Sequence, residues 1–363
     1  MKKIGAFQLG FTFAGCFLGA GYVSGQELWQ FFGAFGNRGW IGMVVAMALL
    51  GAIGLLMLDL NRRTHIYEVD GLILPFAAKP LHWCVAGLEM LFLFGVAVIM
   101  SAGAGALANQ LFGLPLWLGC LLFTLLSGGL SLGGRTGMIT AFSRVVPILV
   151  AVTLCFGLYT LFTAGICPLP APAKQGNPLM GTWVAGTLTF ASYNIFGAIP
   201  VTAPMGRHLK NRATLYWGTA LGTLVILLIA ASVLLSIAAD PACAQAELPM
   251  LQYAQDQGAV FGYVYGVLLL LAMLVTTLSC LVAFVGTLQA KFPKIEFYRR
   301  EMTAISSALM FFAGLLGFGD LIGVIYPIFG YASSVFILLM AVHYIKVRRS
   351  PSPLPAPEAS PEG

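Results

Sequence analysis

Charge is what this sequence has least of. Asp, Glu, Lys and Arg make up 9% of its 363 residues and apolar types 59%, whereas a soluble globular chain carries about 25% charge. Mean hydropathy is +0.90. Such a chain cannot clothe itself for water, which excludes an ordinary soluble domain. Metal-ligand spacing is also missing. The seven cysteines include no Cys-x-x-Cys pair, and His65, His82, His208 and His343 are scattered, so no structural zinc site is written here. No nucleophile and base are spaced as a catalytic unit, which argues against an enzyme. No small-residue cleavage pattern follows Met1-Lys2-Lys3, so the first apolar stretch is expected to act as its own insertion signal.

What is present is a series of apolar stretches, each near the ~20 residues needed to cross a bilayer. We read ten spans, at roughly 5–33, 39–60, 81–110, 115–133, 138–166, 180–204, 212–239, 258–289, 301–318 and 321–345. With the N-terminus inside, seventeen of the nineteen Lys and Arg fall on the cytoplasmic side, and only Arg38 and Lys174 fall outside. This is the positive-inside pattern. The basic balance is therefore a topology signal, with no nucleic-acid partner implied, and the lipid bilayer is the expected environment. Cys16, Cys84, Cys120, Cys155 and Cys280 lie in or at the ends of spans, where cysteine acts as a small hydrophobe. Cys167 and Cys243 share the external side; a disulfide there would need Cα atoms within about 7 Å.

The loop at 61–80 mixes charge with apolar residues and suggests a short amphipathic helix on the membrane surface. Segment 240–257 carries acids and no bases, as an outside loop should. Residues 350–363 are Pro-rich and read as a disordered cytoplasmic tail. The remainder, 1–349, is expected to be one all-α polytopic domain. Ten spans divide into five plus five, with repeat one at about 5–166 and repeat two at about 180–349. An odd number per half inverts the second half, as in many secondary transporters.

The first span of each half looks interrupted. Span 1 carries Gly19-Ala20-Gly21 and then Ser24-Gly25-Gln26-Glu27 at mid-membrane. Glycine costs about 1 kcal/mol against alanine in a helix, and a polar run invites unwinding. Free N–H groups there suit an anionic group, and free carbonyls suit a cation. Span 6 carries Ser192, Tyr193, Asn194, Gly197, Pro200 and Pro204, which predicts a second break. Paired breaks are the sequence pointer to a transporter's solute site. The candidate solute-binding set is Gly19, Ala20, Gly21, Ser24, Gly25, Glu27, Ser192, Tyr193, Asn194 and Gly197. For Gly10 and Gly15, close helix packing is the simpler reading.

Glu27 and Glu89 are the intramembrane acids, and such residues are functional candidates by default. Glu27 could bind an amine, carry a coupling proton or cap the second half-helix. Glu89 lies nearer the cytoplasmic end, where an interfacial role is the competing reading. Asp59 and Asp320 sit at span ends and need no functional role. Thr276 and Thr277 stand in an otherwise apolar part of span 8; paired hydroxyls suit sodium, although span hydroxyls usually bond their own backbone. The small residues of 101–106 suit close packing, and Asn109 and Gln110 lie where water can reach them.

These residues carry a resemblance. GAGYVSGQELWQFFGAFG (19–36), with ASYNIFGAIP (191–200) in support, resembles the YkvI-type family of bacterial membrane proteins. That family is similar to a branch of the amino acid–polyamine–organocation superfamily, with the LeuT-type five-plus-five inverted repeat. Ala14 to Gly21 and Pro147 match first- and fifth-span features of its sodium-coupled members. The resemblance implies a sodium site formed by the carbonyls of Gly15, Leu18 and Met273 and the side chains of Thr276 and Thr277, and no other cofactor. Cys16 stands where those members carry an asparagine of a further sodium site. Arg144, three residues before Pro147, invites comparison with basic residues that replace sodium in some relatives, against a snorkelling interfacial arginine. The expected function is a cation-coupled (Na+ or H+) symporter of a small solute such as an amino acid or amine. It would work by alternating access in the bacterial inner membrane, with both termini cytoplasmic. A solute-binding sensor on the same scaffold, or a channel, is the alternative.

Overall fold

The computed structural model describes residues 4–66, 69–74, 79–132, 138–169, 177–202, 205–206, 209, 211–292 and 297–349, apart from the side chains of 138–146 and 290. The expected tail, Pro204, Lys174 and the Arg144 side chain lie outside them. Among the described residues there is no strand, only one isolated parallel bridge, Ile4 to Leu209. The helices are α1 (Ala6–Phe17), α2 (Ala20–Val23), α3 (Gln26–Phe31), α4 (Arg38–Thr64), α5 (Val69–Ile73), α6 (Lys79–Phe112) and α7 (Leu116–Leu132). They continue as α8 (Met138–Thr163), α9 (Trp183–Thr202), α10 (Arg212–Ala239), α11 (Pro249–Asp256), α12 (Ala259–Lys291), α13 (Arg299–Gly314) and α14 (Phe318–Arg349). Six of them, α4, α6, α9, α10, α12 and α14, are long and apolar enough to cross a bilayer. Shorter apolar helices lie in α1, α7 and α8.

Backbone hydrogen bonding in hydrocarbon has to be satisfied within each segment, which is why helices form. Large apolar side chains lie on both the inside and the outside of the bundle. Phe13, Phe31, Phe190, Phe196 and Tyr265 are buried, while Leu125, Trp217, Val267 and Leu338 are exposed, as a lipid-facing surface requires. Close approach is made by small residues. A Cβ on Gly222 would stand 2.7 Å from Gly10 O, so α1 and α10 meet backbone to backbone. Residues 101–106 of α6 are all buried. A Cβ on Gly103 would meet Met273 of α12 at 2.8 Å and Phe318 of α14 at 2.9 Å, which gives the small-residue run its packing role.

Two expectations change. The helix in the 61–80 loop is only five residues long. Leu72 and Ile73 are buried, and the Leu72 carbonyl is 2.9 Å from His343 Nδ1 on α14. Its apolar residues are therefore packed on the bundle, a tertiary contact beyond the expectation. Segment 240–257 is more than an acidic loop: it forms a 3-10 turn, Pro241–Gln245, and then α11, whose Met250 and Leu251 are fully buried.

Candidate functional site

The first apolar stretch breaks where its glycines lie. Helix α1 ends at Phe17, Leu18 leaves helical geometry at ψ 59°, and Gly19 is extended at φ −74°, ψ 168°. The Gly19 N–H turns to Phe17 O at 2.9 Å, and the Tyr22 N–H turns to Gly19 O at 3.1 Å. Gly15 O and Leu18 O thus lose the donors four residues on that a continuous helix would give them. A single turn, α2, follows, and Gly25 then takes φ +87° before α3 begins. That left-handed position suits glycine alone at low cost. Ser24 Oγ donates to Gly21 O at 2.9 Å, so the polar run helps satisfy the break.

Glu27 sits in the first turn of α3 and folds back over the break. It is 4% exposed. One carboxylate oxygen accepts a hydrogen bond from Tyr193 Oη of α9. The other lies where only a glycine leaves space, since a Cβ on Gly21 would stand 2.7 Å from it. The side-chain amide of Asn194 lies beside the same carboxylate. Tyr193 is stacked on Tyr326 of α14, with ring centroids 4.5 Å apart and planes 17° apart. Phe31 and Phe190 pack against Tyr193 at 5.5 and 5.7 Å.

The expected second break is not found in Ser192–Gly197. Helix α9 runs unbroken from Trp183 to Thr202, with Pro200 inside it. Proline removes one ladder donor, but it stands two residues before the helix end. Asn194 Nδ2 donates to Phe190 O at 3.0 Å, so its polarity is met within the helix. A Cβ on Gly197 would meet Phe92 Cε1 at 2.6 Å, which makes this glycine a packing residue. Tyr193 and Asn194 reach Glu27 from a continuous helix. Ser192 is buried on α9 without joining that contact, and Gly197 faces Phe92.

One end of this site is sealed. Met250 N donates to Ser24 O at 2.8 Å, which ties α11 directly onto the break. Tyr265 of α12 donates to Val23 O at 2.7 Å. The first turns of α14 are held from three sides: Gln30 Nε2 donates to Gly319 O at 2.8 Å, Asn177 Nδ2 donates to Gly323 O at 2.6 Å, and Glu247 accepts from Gly319 N at 2.7 Å. Gly19 is different, being only half-buried and with no atom within 4 Å of where its Cβ would be.

The hydroxyl pair on α12 divides. Thr277 is fully buried and its Oγ1 has no partner, whereas Thr276 is half-buried. The orphan is informative because comparable threonines bond back one turn: Thr153 to Leu149 O at 2.8 Å, Thr202 to Ala198 O at 2.7 Å and Thr219 to Leu215 O at 2.9 Å. Thr277 leaves Met273 O without this bond. The unsatisfied Thr277 hydroxyl and the carbonyls freed at Gly15 and Leu18 are each hard oxygens, the ligand type that a cation such as sodium takes.

Other candidates separate from the site. Glu89 lies on α6 near Asp70 and Lys291. Asp59 pairs with Arg63 at 2.8 Å and accepts from Tyr344 at 2.9 Å. Gln110 donates to the Gln252 and Gln255 side chains at 3.3 Å. Cys167 and Cys243 are both free. Burial and the adjacent Asp240 and Asp256 push the Cys243 thiol up, so it stays protonated and donates to Asp256 at 3.7 Å. Tyr326, Gln30 and the α11 contacts escaped sequence reasoning. The one available signal was Pro249 followed by apolar residues at helical spacing.

The fold is that of the LeuT-type transporters. The chain superposes on the inward-facing conformation of Mhp1 with a TM-score of 0.68 at 16% identity, covering 96% of this chain and 78% of that one. With MhsT in complex with L-phenylalanine the TM-score is 0.62 at 15% identity, covering 95% and 89%. These neighbours are transporters and not enzymes. In sequence, the chain is 25% identical over 355 residues to the uncharacterized membrane protein YkvI of Bacillus subtilis, covering 96% of this chain and 99% of that protein. No family model matches the chain.

Proposed function

We propose that this protein is a cation-coupled symporter of a small solute such as an amino acid or amine, working by alternating access. The observation that carries the reading is the break between α1 and α3, with a buried carboxylate returned over it to a tyrosine of α9. An uncompensated polar group in the bilayer is expensive, and backbone irregular at membrane depth is tolerated where it lines a cavity. In this reading α1–α3 together form span 1, and α4, α6, α7, α8, α9, α10, α12, α13 and α14 form spans 2 to 10. That gives the five-plus-five inverted repeat with both termini in the cytoplasm of a bacterial inner membrane. The solute sits between Gly19–Gly25 and the Tyr193–Asn194 face of α9. The coupling ion is sodium, held by the carbonyls of Gly15, Leu18 and Met273 with Thr276 and Thr277, and it would supply positive charge beside the break.

The contacts of Gln30, Asn177, Glu247 and Met250 form the closed outer side, and the open space at Gly19 faces inward. A thermal-stability screen of the purified protein against amino acids and amines, with sodium or potassium, tests the proposal, since a ligand that binds the folded state raises stability. A sodium-dependent hit that Thr276→Val and Thr277→Val abolish is the expected result. Hits indifferent to sodium in the wild type, or a sodium dependence that both variants keep, would remove the sodium assignment.

A further inference from the structure

We propose that Glu27 reads the charge of the solute, admitting amines and rejecting solutes that carry a carboxylate. This rests on the break being the solute site, and it decides between the two solute classes left open above.

The Glu27 carboxylate is buried and makes no ion pair. The two ion pairs among the described residues, Arg63–Asp59 and His82–Asp70, both lie elsewhere. Its neighbours are Tyr193 Oη, the Asn194 side chain and the bare Cα of Gly21. Phe31, Phe190 and Tyr326 pack around Tyr193 at 5.5, 5.7 and 4.5 Å. A carboxylate among aromatic faces is a setting that attracts an ammonium group, because ring faces add to the negative potential. Among the described residues, no cationic side chain is there to meet a second carboxylate. Every Lys and Arg whose side chain is described lies in the first or last turn of its helix, away from the break. An α-amino acid differs from the matching amine by its carboxylate alone. Placed at this break, that group faces Glu27 with no cation to offset it, apart from the coupling ion that both solutes share.

The test uses the full-length purified protein in sodium buffer. Thermal unfolding is titrated with three matched pairs: phenethylamine and phenylalanine, isoamylamine and leucine, putrescine and ornithine. We expect at least one amine to raise the melting temperature, with its parent amino acid binding about a hundredfold or more weaker, the size of effect that juxtaposed like charges produce. Glu27→Gln should close that gap, mainly by weakening the amine. The comparison within the wild type needs no variant to fold. An amino acid that binds as tightly as its amine, an unchanged gap in Glu27→Gln, or no shift from any of the three amines would each overturn the proposal. An amine bound with the expected selectivity but never accumulated by proteoliposomes would leave the charge reading standing and overturn the transporter reading.

Discussion

Two segments meet at the candidate site, and they use the same residue types to opposite ends. The α1–α3 segment and α9 each combine glycine with a polar run at mid-membrane. The first unwinds at Leu18–Gly19 and again at Gly25. The second stays helical through Ser192, Asn194 and Gly197 to Thr202. The difference lies in what each glycine meets. Gly25 holds φ +87°, a conformation that other residues adopt only with strain, and Ser24 Oγ beside it donates to Gly21 O and accepts from Gln26 N at 3.4 Å. Gly197 holds helical geometry and gives its space to Phe92, while Asn194 bonds within its own helix. One broken and one continuous segment thus present backbone from one side and side chains from the other.

The largest expected effect separates the two glycines. Gly25→Ala forces a side chain into the left-handed region, at about 1–2 kcal/mol, and crowds Ile237 and Met250, both 3.1 Å from the new Cβ. Together with overpacking this should cost about 2–4 kcal/mol in thermal or denaturant unfolding. Gly197→Ala meets only Phe92 and should cost about 1–2 kcal/mol. Equal losses, or the reverse order, would break the comparison.

Next comes the contact that joins the segments. Tyr193→Phe removes the Oη donor from Glu27; hydrogen bonds to charged groups are worth about 1.5–3 kcal/mol, so solute affinity should fall tenfold or more. The check is a binding titration. Asn194→Ala, whose amide already bonds Phe190 O, should do less. A smaller effect comes from the orphan hydroxyl. Thr277→Val should leave sodium-free stability unchanged or slightly higher, because a buried unpartnered group is removed. Sodium-dependent stabilisation should disappear. Thr202→Val, which breaks a bond to Ala198 O, should instead lose about 0.5–1.5 kcal/mol.

Helix positions were legible because lipid imposes a simple code. The stretches read at 212–239 and 138–166 appear as Arg212–Ala239 and Met138–Thr163. The break in span 1 was legible because Gly19-Ala20-Gly21 and Ser24-Gly25-Gln26-Glu27 combine weak helix formers with polarity. The supposed break in α9 was misread because a glycine's neighbour is a tertiary fact: Phe92 lies about a hundred residues away in sequence. For the same reason Tyr326 and Gln30 were invisible. Both look like ordinary span residues until α14 is folded against α3 and α9. Thr277 was named for its pairing with Thr276, but its distinguishing property, a hydroxyl that does not bond back to Met273 O, needs coordinates.

The most direct measurement is uptake of a solute chosen by the stability screen into proteoliposomes carrying either the wild type or Glu27→Gln, under an imposed inward sodium or proton gradient. The wild type should accumulate the solute above the bath concentration, lose that accumulation when the gradient is dissipated, and lose it in the Glu27→Gln variant. Failure to accumulate under either gradient, or equal accumulation by the variant, would contradict a coupled transporter whose solute site is built around Glu27.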